Sequence, residues 1–254
     1  MAYSLAGDFD YERHGHGYAI QRRTDPRIAA RVHAALGDAR TVVNVGAGAG
    51  SYEPVDRHVV AVEPSAAMRA QRPRHLAPAV SAVAEDLPFD DDAFDAAMAM
   101  VTVHQWPDAA RGLRELRRVS RGPVVVLTLD GAALGLLWLA EYLPELLVVD
   151  GRRFPPIDTI ASLVGAAAEV RPVPVPIDCV DGFTEAYYAR PERFLDPEVR
   201  ASQSAWGVVG DAAAARAVEH LRRDLEDGTW DARHGHLRTQ PEFQGALRLV
   251  VGHP

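Results

Sequence analysis

The chain has 254 residues, 48% of them hydrophobic and 24% charged, which allows one good core and is ordinary for a globular enzyme. Its formal net charge of −8 gives no bulk attraction to nucleic acid, and all 27 basic residues are arginine. Cys179 is the only cysteine, which excludes an internal disulfide and a cysteine zinc site. Met1–Asp10 lacks the basic start and apolar run of a secretion signal, and Ala132–Ala140 is too short an apolar run to span a bilayer. These features lead us to expect a cytoplasmic monomer or homodimer with neither a nucleic-acid nor a membrane partner.

Asp8–Arg23 is polar and dotted with aromatics. A helix should follow it, capped by Thr24 or Asp25, opened by Pro26 and ended by Gly37, with Ile28, Val32, Ala35 and Leu36 on one face. From Thr41 short apolar runs alternate with helical stretches. Thr41–Val45, Val59–Val62, Val80–Val83, Phe94–Val103 and Val124–Leu129 read as buried strands, and Ser65–Gln71 and Ala109–Val119 as helices between them. That alternation predicts an α/β fold with a doubly wound, mostly parallel sheet. The arginines from Arg111 to Arg121 interleave with Leu113 and Leu116, which favours a solvated helix face over an RNA-contacting stripe.

Leu134–Val149 and Asp158–Ala168 read as helices. Val170–Ile177 carries proline at every second position and suits an edge strand or an extended connector. Gly182–Pro241 reads as mainly helical, and Ala246–Val251 as a terminal strand. The expected organisation is therefore a helical cover over 1–40, an α/β core over 41–180, a helical insertion or lid over 181–241, and a final core strand over 242–254.

The chemistry concentrates at the ends of the first strands. Thr41–Gly50 runs from a strand into glycines at 46, 48 and 50, so backbone can approach a ligand there; Ser51 breaks the G-x-G-x-x-G spacing that pyrophosphate recognition needs. The second strand ends at Glu63, a carboxylate able to accept from both hydroxyls of a ribose. In Ala84–Phe89, Asp86 could accept from an adenine amino group and the Leu87 N–H could bond a ring nitrogen; a turn role for Asp86 is the alternative. His104 follows the fourth strand in Val101–Asp108, where it could act as a general base or only shape the pocket.

Val43–Gly50, Val60–Met68, Ala84–Phe89 and Phe94–Asp108 resemble the successive motifs of class I methyltransferases that use S-adenosyl-L-methionine (SAM), in the branch called type 11. The resemblance covers about Thr41 to Asp130 and implies a Rossmann-like, seven-stranded sheet with a helical cap. It implies that Gly46, Ala47 and Gly48 wrap the methionine part of SAM and that Glu63 holds the ribose. Asp86 with Leu87 would read the adenine, Met68 would pack on the adenine face, and Pro64 and Val103 would complete the cradle. Tyr18 is expected over the methionine end and Arg23, or its neighbour Arg22, near the SAM carboxylate. The family usually has an acid where this chain has Asn44, which would weaken cofactor binding without abolishing it.

Methyl transfer from a sulfonium needs chiefly an aligned, dry pocket. Candidates for its acceptor side are Tyr11, His104, Trp106, Phe183, Tyr187 and Tyr188, although an aromatic stripe at helical spacing is more often core. The pairs His14/His16 and His234/His236 lack an acidic partner at ligand spacing, so no metal is expected. The resulting expectation is an enzyme that methylates O, N or C of a small molecule, with bacterial secondary metabolism as a setting suggested by the GC-rich residue usage. The rival readings are a non-catalytic SAM-fold protein and a nicotinamide oxidoreductase.

Overall fold

The computed structural model describes residues 18–254. Tyr11 and the pair His14/His16 lie outside the described residues. Its sheet has six strands in the order β2-β1-β3-β4-β8-β5, with β1 Thr41–Val45, β2 His58–Val62, β3 Ala96–Met100, β4 Val124–Leu129, β5 Ala167–Pro172 and β8 Leu247–His253. β2, β1, β3 and β4 pair in parallel, and β8 runs antiparallel between β4 and β5. A separate two-stranded ribbon joins β6 Val175–Pro176 to β7 Glu242–Phe243.

The third expected strand, Val80–Val83, is reduced to one parallel bridge, Val62 with Val80, which leaves six of the seven expected strands in the sheet. Val80 exchanges two backbone bonds with the β2 edge, through Ala61 and Glu63. Pro78 lacks a donor just before it, and Val83 lines the cleft at the carboxyl ends of the strands without pairing along the edge.

Both faces of the sheet are covered, which explains the near-continuous apolar strands. Val42, Ala96, Met98, Val125 and Leu127 face one core with Ile28, Val32 and Leu36. Val43, Ala97, Ala99, Val124 and Val126 face the other, against Leu113, Leu116 and Val119. The first set of helical residues belongs to α2 (Pro26–Ala35), which follows the single turn α1 (Tyr18–Gln21) and is capped by the Asp25 carboxylate on the Arg27 N–H. The second belongs to α4 (Ala109–Val119), which comes after α3 (Ala66–Ala70) and is capped by Asp108. Arg111 and Arg114 on α4 are exposed, while Arg118 is tied to Glu115 and Asp91.

Beyond β4 the expected Leu134–Val149 helix divides at Pro144 into α5 (Leu139–Tyr142) and α6 (Glu145–Arg153), because proline cannot donate within a helix interior. α7 (Ile157–Val164) stops at Gly165, where an added Cβ would lie 2.1 Å from the His253 carbonyl oxygen. The 181–241 segment holds α8 (Pro197–Ala201), α9 (Ser204–Val208), α10 (Asp211–Glu226) and α11 (Thr229–His234). Among the described residues no helix is long and apolar enough to cross a membrane.

Candidate functional site

β1 has β2 on one side and β3 on the other, so the strand order reverses there and a crevice opens beyond the carboxyl ends. The Gly46 and Ala47 N–H groups both donate to the Val62 carbonyl at 2.9 Å, which folds the glycine turn back over β2. Gly46 has φ +68°, and a Cβ there would lie 2.2 Å from Thr102 Oγ1. Only glycine fits both the backbone and the contact.

Glu63 closes this turn. One carboxylate oxygen accepts the Gly48 N–H at 2.8 Å and the other the Ser65 N–H at 2.9 Å. Each oxygen keeps lone-pair capacity at the crevice, which Glu63 lines. Burial raises the Glu63 carboxyl above its ordinary value, opposed by those two N–H groups and by Arg69 and Arg72.

The crevice, with its open mouth, encloses about 860 Å³ of non-atom space. Gly46, Ala47, Gly48, Pro64 and Met68 line it as the sequence predicts. Val83, Ala84, Glu85 and Trp106 form the wall beyond Met68, and Tyr18, Arg22, Ser51 and Tyr52 also border the crevice. Arg22 faces the crevice and Arg23 is exposed. Arg22 is set by Asp181, which accepts its Nε at 2.6 Å and the Tyr52 hydroxyl at 2.7 Å, while Arg22 Nη1 donates to the Tyr18 hydroxyl at 2.9 Å.

Three further residues expected at the cofactor lie off the crevice lining. Asp86 is exposed and does not line the crevice, because the turn places Glu85 there, with Glu85 Oε1 accepting the Asp108 N–H at 3.0 Å. The Leu87 N–H already donates to Glu115 at 3.0 Å, and Leu87 is buried. Val103 is fully buried in the α4-side core, and its neighbours Thr102 and Gln105 line the crevice instead. Glu85→Ala is accordingly expected to weaken SAM binding by about 1 kcal/mol and Asp86→Ala by less than about 0.5 kcal/mol, measured by calorimetric titration. Equal losses would contradict this placement.

Asn44 lies beneath the glycine turn, outside the crevice lining. Its amide donates to Glu53 at 2.9 Å, and Glu53 receives a two-pronged bond from Arg72 at 3.0 and 2.8 Å. Both ion-pair side chains are at least 96% buried. The missing acid at position 44 is thus accompanied by a carboxylate nine residues on, whose charge is taken up by Arg72.

A side pocket adjoins the crevice through shared residues Tyr18, Arg22 and Val101. Val101 has φ +52°, a strained conformation for a β-branched residue, and ends β3 at this junction. His104 and Phe183 line the pocket as the sequence predicts, together with Arg153, Phe154, Gln203 and Ser204. The His104 ring lies 4.4 Å from that of Phe154, centroid to centroid, and its Nδ1 is buried with no hydrogen-bond partner among the described residues. Burial, reinforced by the positive charges of Arg153 and Arg22, holds the imidazole well below its ordinary pKa, so it is neutral near pH 7.

The other expected acceptor residues lie elsewhere. Trp106 borders the crevice and packs on Gly112. Tyr187 packs edge-on to Phe194, and Tyr188 stacks on Phe243; both are core. His234 packs against Trp138 and Trp230, and no cluster of three metal-ligating side chains occurs among the described residues. Asp181, Gln105, Arg153, Gln203 and Ser204 carry no local motif, and only the tertiary fold brings them to the site.

A family model for a methyltransferase domain matches residues 43–126. The structure also resembles a protein of Anabaena variabilis ATCC 29413, assigned as a methyltransferase of an antibiotic biosynthesis pathway. The two share 28% identity with a TM-score of 0.84, over 92% of this chain and 99% of that one. Residues 43–126 thus match a methyltransferase domain, and the fold around them is that of SAM-dependent methyltransferases. The fold recurs in a Thermotoga maritima SAM-dependent enzyme named as a possible histamine N-methyltransferase, with a TM-score of 0.57, 16% identity and coverage of 96% and 97%. It recurs again in a Haemonchus contortus phosphoethanolamine N-methyltransferase bound to S-adenosylhomocysteine, with a TM-score of 0.56, 12% identity and coverage of 96% and 57%. No curated protein matches the sequence.

Proposed function

We propose that this chain is a SAM-dependent methyltransferase that holds SAM in the crevice and methylates an O, N or C atom of a small acceptor seated in the side pocket. The observation that carries this reading is the continuity of the two cavities at Tyr18, Arg22 and Val101, which puts His104 and the glycine turn on opposite sides of one junction. The residues fit the cofactor: Glu63 offers two anchored oxygens to a diol, Met68 an apolar face to a planar base, and Arg22 a guanidinium to a carboxylate. When bound, SAM would supply an electrophilic methyl group, which an electron pair of the acceptor would take as the C–S bond breaks with its electrons on sulfur.

The chain's own residues orient the partners and keep water out. Neutral His104 can accept the acceptor's proton as the new bond forms, because the proton of a hydroxyl oxygen becomes strongly acidic once that oxygen is methylated, and release it to solvent. The 181–241 segment supplies Phe183, Gln203 and Ser204 to the pocket wall, which supports its reading as a lid over the core. Secondary metabolism is supported by the likeness to the Anabaena protein alone.

Glu63→Ala should weaken SAM binding by about 1.5–3 kcal/mol, the range for hydrogen bonds to a charged group. Calorimetric titration of the folded variant with SAM checks this, and unchanged affinity would remove Glu63 from the ribose position. Absence of SAM binding by the wild-type protein would overturn the whole reading.

A further inference from the structure

The hydrogen-bonding inventory of the side pocket is lopsided, and that bias identifies an acceptor class. Gln203 is 5% exposed, and its Oε1 accepts the Thr184 hydroxyl at 2.8 Å. This bond fixes the amide so that its NH2 group is left over, and Nε2 is buried with no partner among the described residues. Ser204 Oγ receives two donors, Gln105 Nε2 at 3.3 Å and Arg153 Nη2 at 3.1 Å. Both of its lone pairs are therefore in use, and its own O–H remains to be given away.

The pocket thus presents two neutral donors, from Gln203 and Ser204, beside the guanidinium groups of Arg153 and Arg22. The carboxylates nearby are already engaged: Asp150 accepts from Arg153 at 3.0 Å, and Asp181 from Arg22 and Tyr52. The neutral His104 imidazole is the one lining group with an open acceptor nitrogen among the described residues. Phe154 and Phe183 supply flat apolar walls.

We infer that the acceptor is a planar hydroxy acid, a phenol or enol bearing a carboxylate or carbonyl, and that it is methylated on its hydroxyl oxygen. Its carboxylate or carbonyl oxygens meet the Gln203 and Ser204 donors, and its hydroxyl donates to His104. Methyl transfer then forms the O–C bond, and the hydroxyl proton leaves through His104. An ammonium group would place a third positive charge beside Arg22 and Arg153 and leave the Gln203 and Ser204 donors unpaired, each a costly loss. This inference rests on the reading of the side pocket as the acceptor site.

The test is a binding measurement on the protein saturated with S-adenosylhomocysteine, using 2-, 3- and 4-hydroxybenzoate against benzylamine and phenethylamine. At least one hydroxybenzoate should bind at least about tenfold more tightly than either amine, the factor expected for one hydrogen bond to a charged group. Gln203→Glu, which replaces a donor by a negative acceptor, should abolish that preference while cofactor-product affinity stays within about twofold. Ser204→Ala removes the second donor, keeps a small helical side chain, and should reduce hydroxybenzoate affinity several-fold, so a Gln203 variant that fails to fold does not leave the matter open. Tighter binding of the amines, no binding of any hydroxybenzoate, or a preference untouched by either variant would overturn the inference and leave the methyltransferase reading standing. Failure of S-adenosylhomocysteine itself to bind would instead remove that reading.

Discussion

Replacing His104 by glutamine should lower kcat about 100-fold or more while SAM affinity stays within about twofold. Glutamine fills a similar volume and can still hydrogen-bond, but it cannot take a proton. The separation between rate and affinity follows from placement: His104 lines the side pocket and not the cofactor crevice. The pH dependence gives the sharper check. Burial and the charges of Arg153 and Arg22 depress the imidazole pKa, so its neutral form is lost only well below pH 6.5. The wild-type kcat/KM should therefore be flat across neutral pH and fall only in clearly acidic solution, provided proton removal contributes to the rate. In the glutamine variant that acidic limb should be absent. A variant with reduced SAM affinity and an unchanged limb would make His104 a cradle residue, and a variant at wild-type rate would remove it from the site. The acceptor needed for these assays follows from the hydroxybenzoate series or from a metabolite screen with labelled SAM.

The parts of the site that a strand and its following turn determine were legible in the sequence. Gly46, Gly48, Glu63 and Met68 sit where the alternation of apolar runs and glycines puts them, because the end of a parallel strand is a fixed place in such a sheet. What failed was resolution within turns. Arg22 and Arg23, Glu85 and Asp86, and Thr102 and Val103 are adjacent pairs of which only one member faces the cleft, and local pattern gives no phase once the chain leaves a strand or helix. The third strand shows the same limit from the other side: Val80–Val83 has strand composition, yet only Val80 keeps a ladder bond at the sheet edge.

Asn44 illustrates a different loss. Read alone it is a charge deficit, but the fold brings Glu53 and Arg72 against it from later positions. The aromatic residues from Phe183 to Trp206 divide in a comparable way. Phe183 reaches the pocket, whereas Tyr187, Tyr188 and Phe194 build the core that holds that segment down. Helical spacing cannot make that division, since it specifies a face and not what the face meets.

Stability should fall as pH rises from about 5 to about 8, through Glu185. This side chain sits on the turn Thr184–Tyr187, and its Oε1 accepts the Ala246 N–H at 2.6 Å, tying the 181–241 segment to the start of β8. Its other oxygen is buried with no partner among the described residues, and the carboxyl rests on Gly245, where a Cβ would lie 2.2 Å from Oε1. Burial pushes the carboxyl up to about 7 from an ordinary 4.5, against the opposing N–H bonds of Ala246 and Leu247 and the charge of Arg248. Between those two values the folded protein keeps a proton that the unfolded chain has released, so unfolding gains ground with rising pH. The full effect is about 3 kcal/mol, complete above the folded-state value. Glu185→Gln keeps the oxygen that accepts from Ala246 and removes the titration. Its Tm should exceed that of wild type by roughly 5–10 °C at pH 8, with the two nearly equal at pH 5. Thermal unfolding across that range measures the difference, and parallel curves for the two proteins would show that Glu185 is ionised or solvated in the folded state.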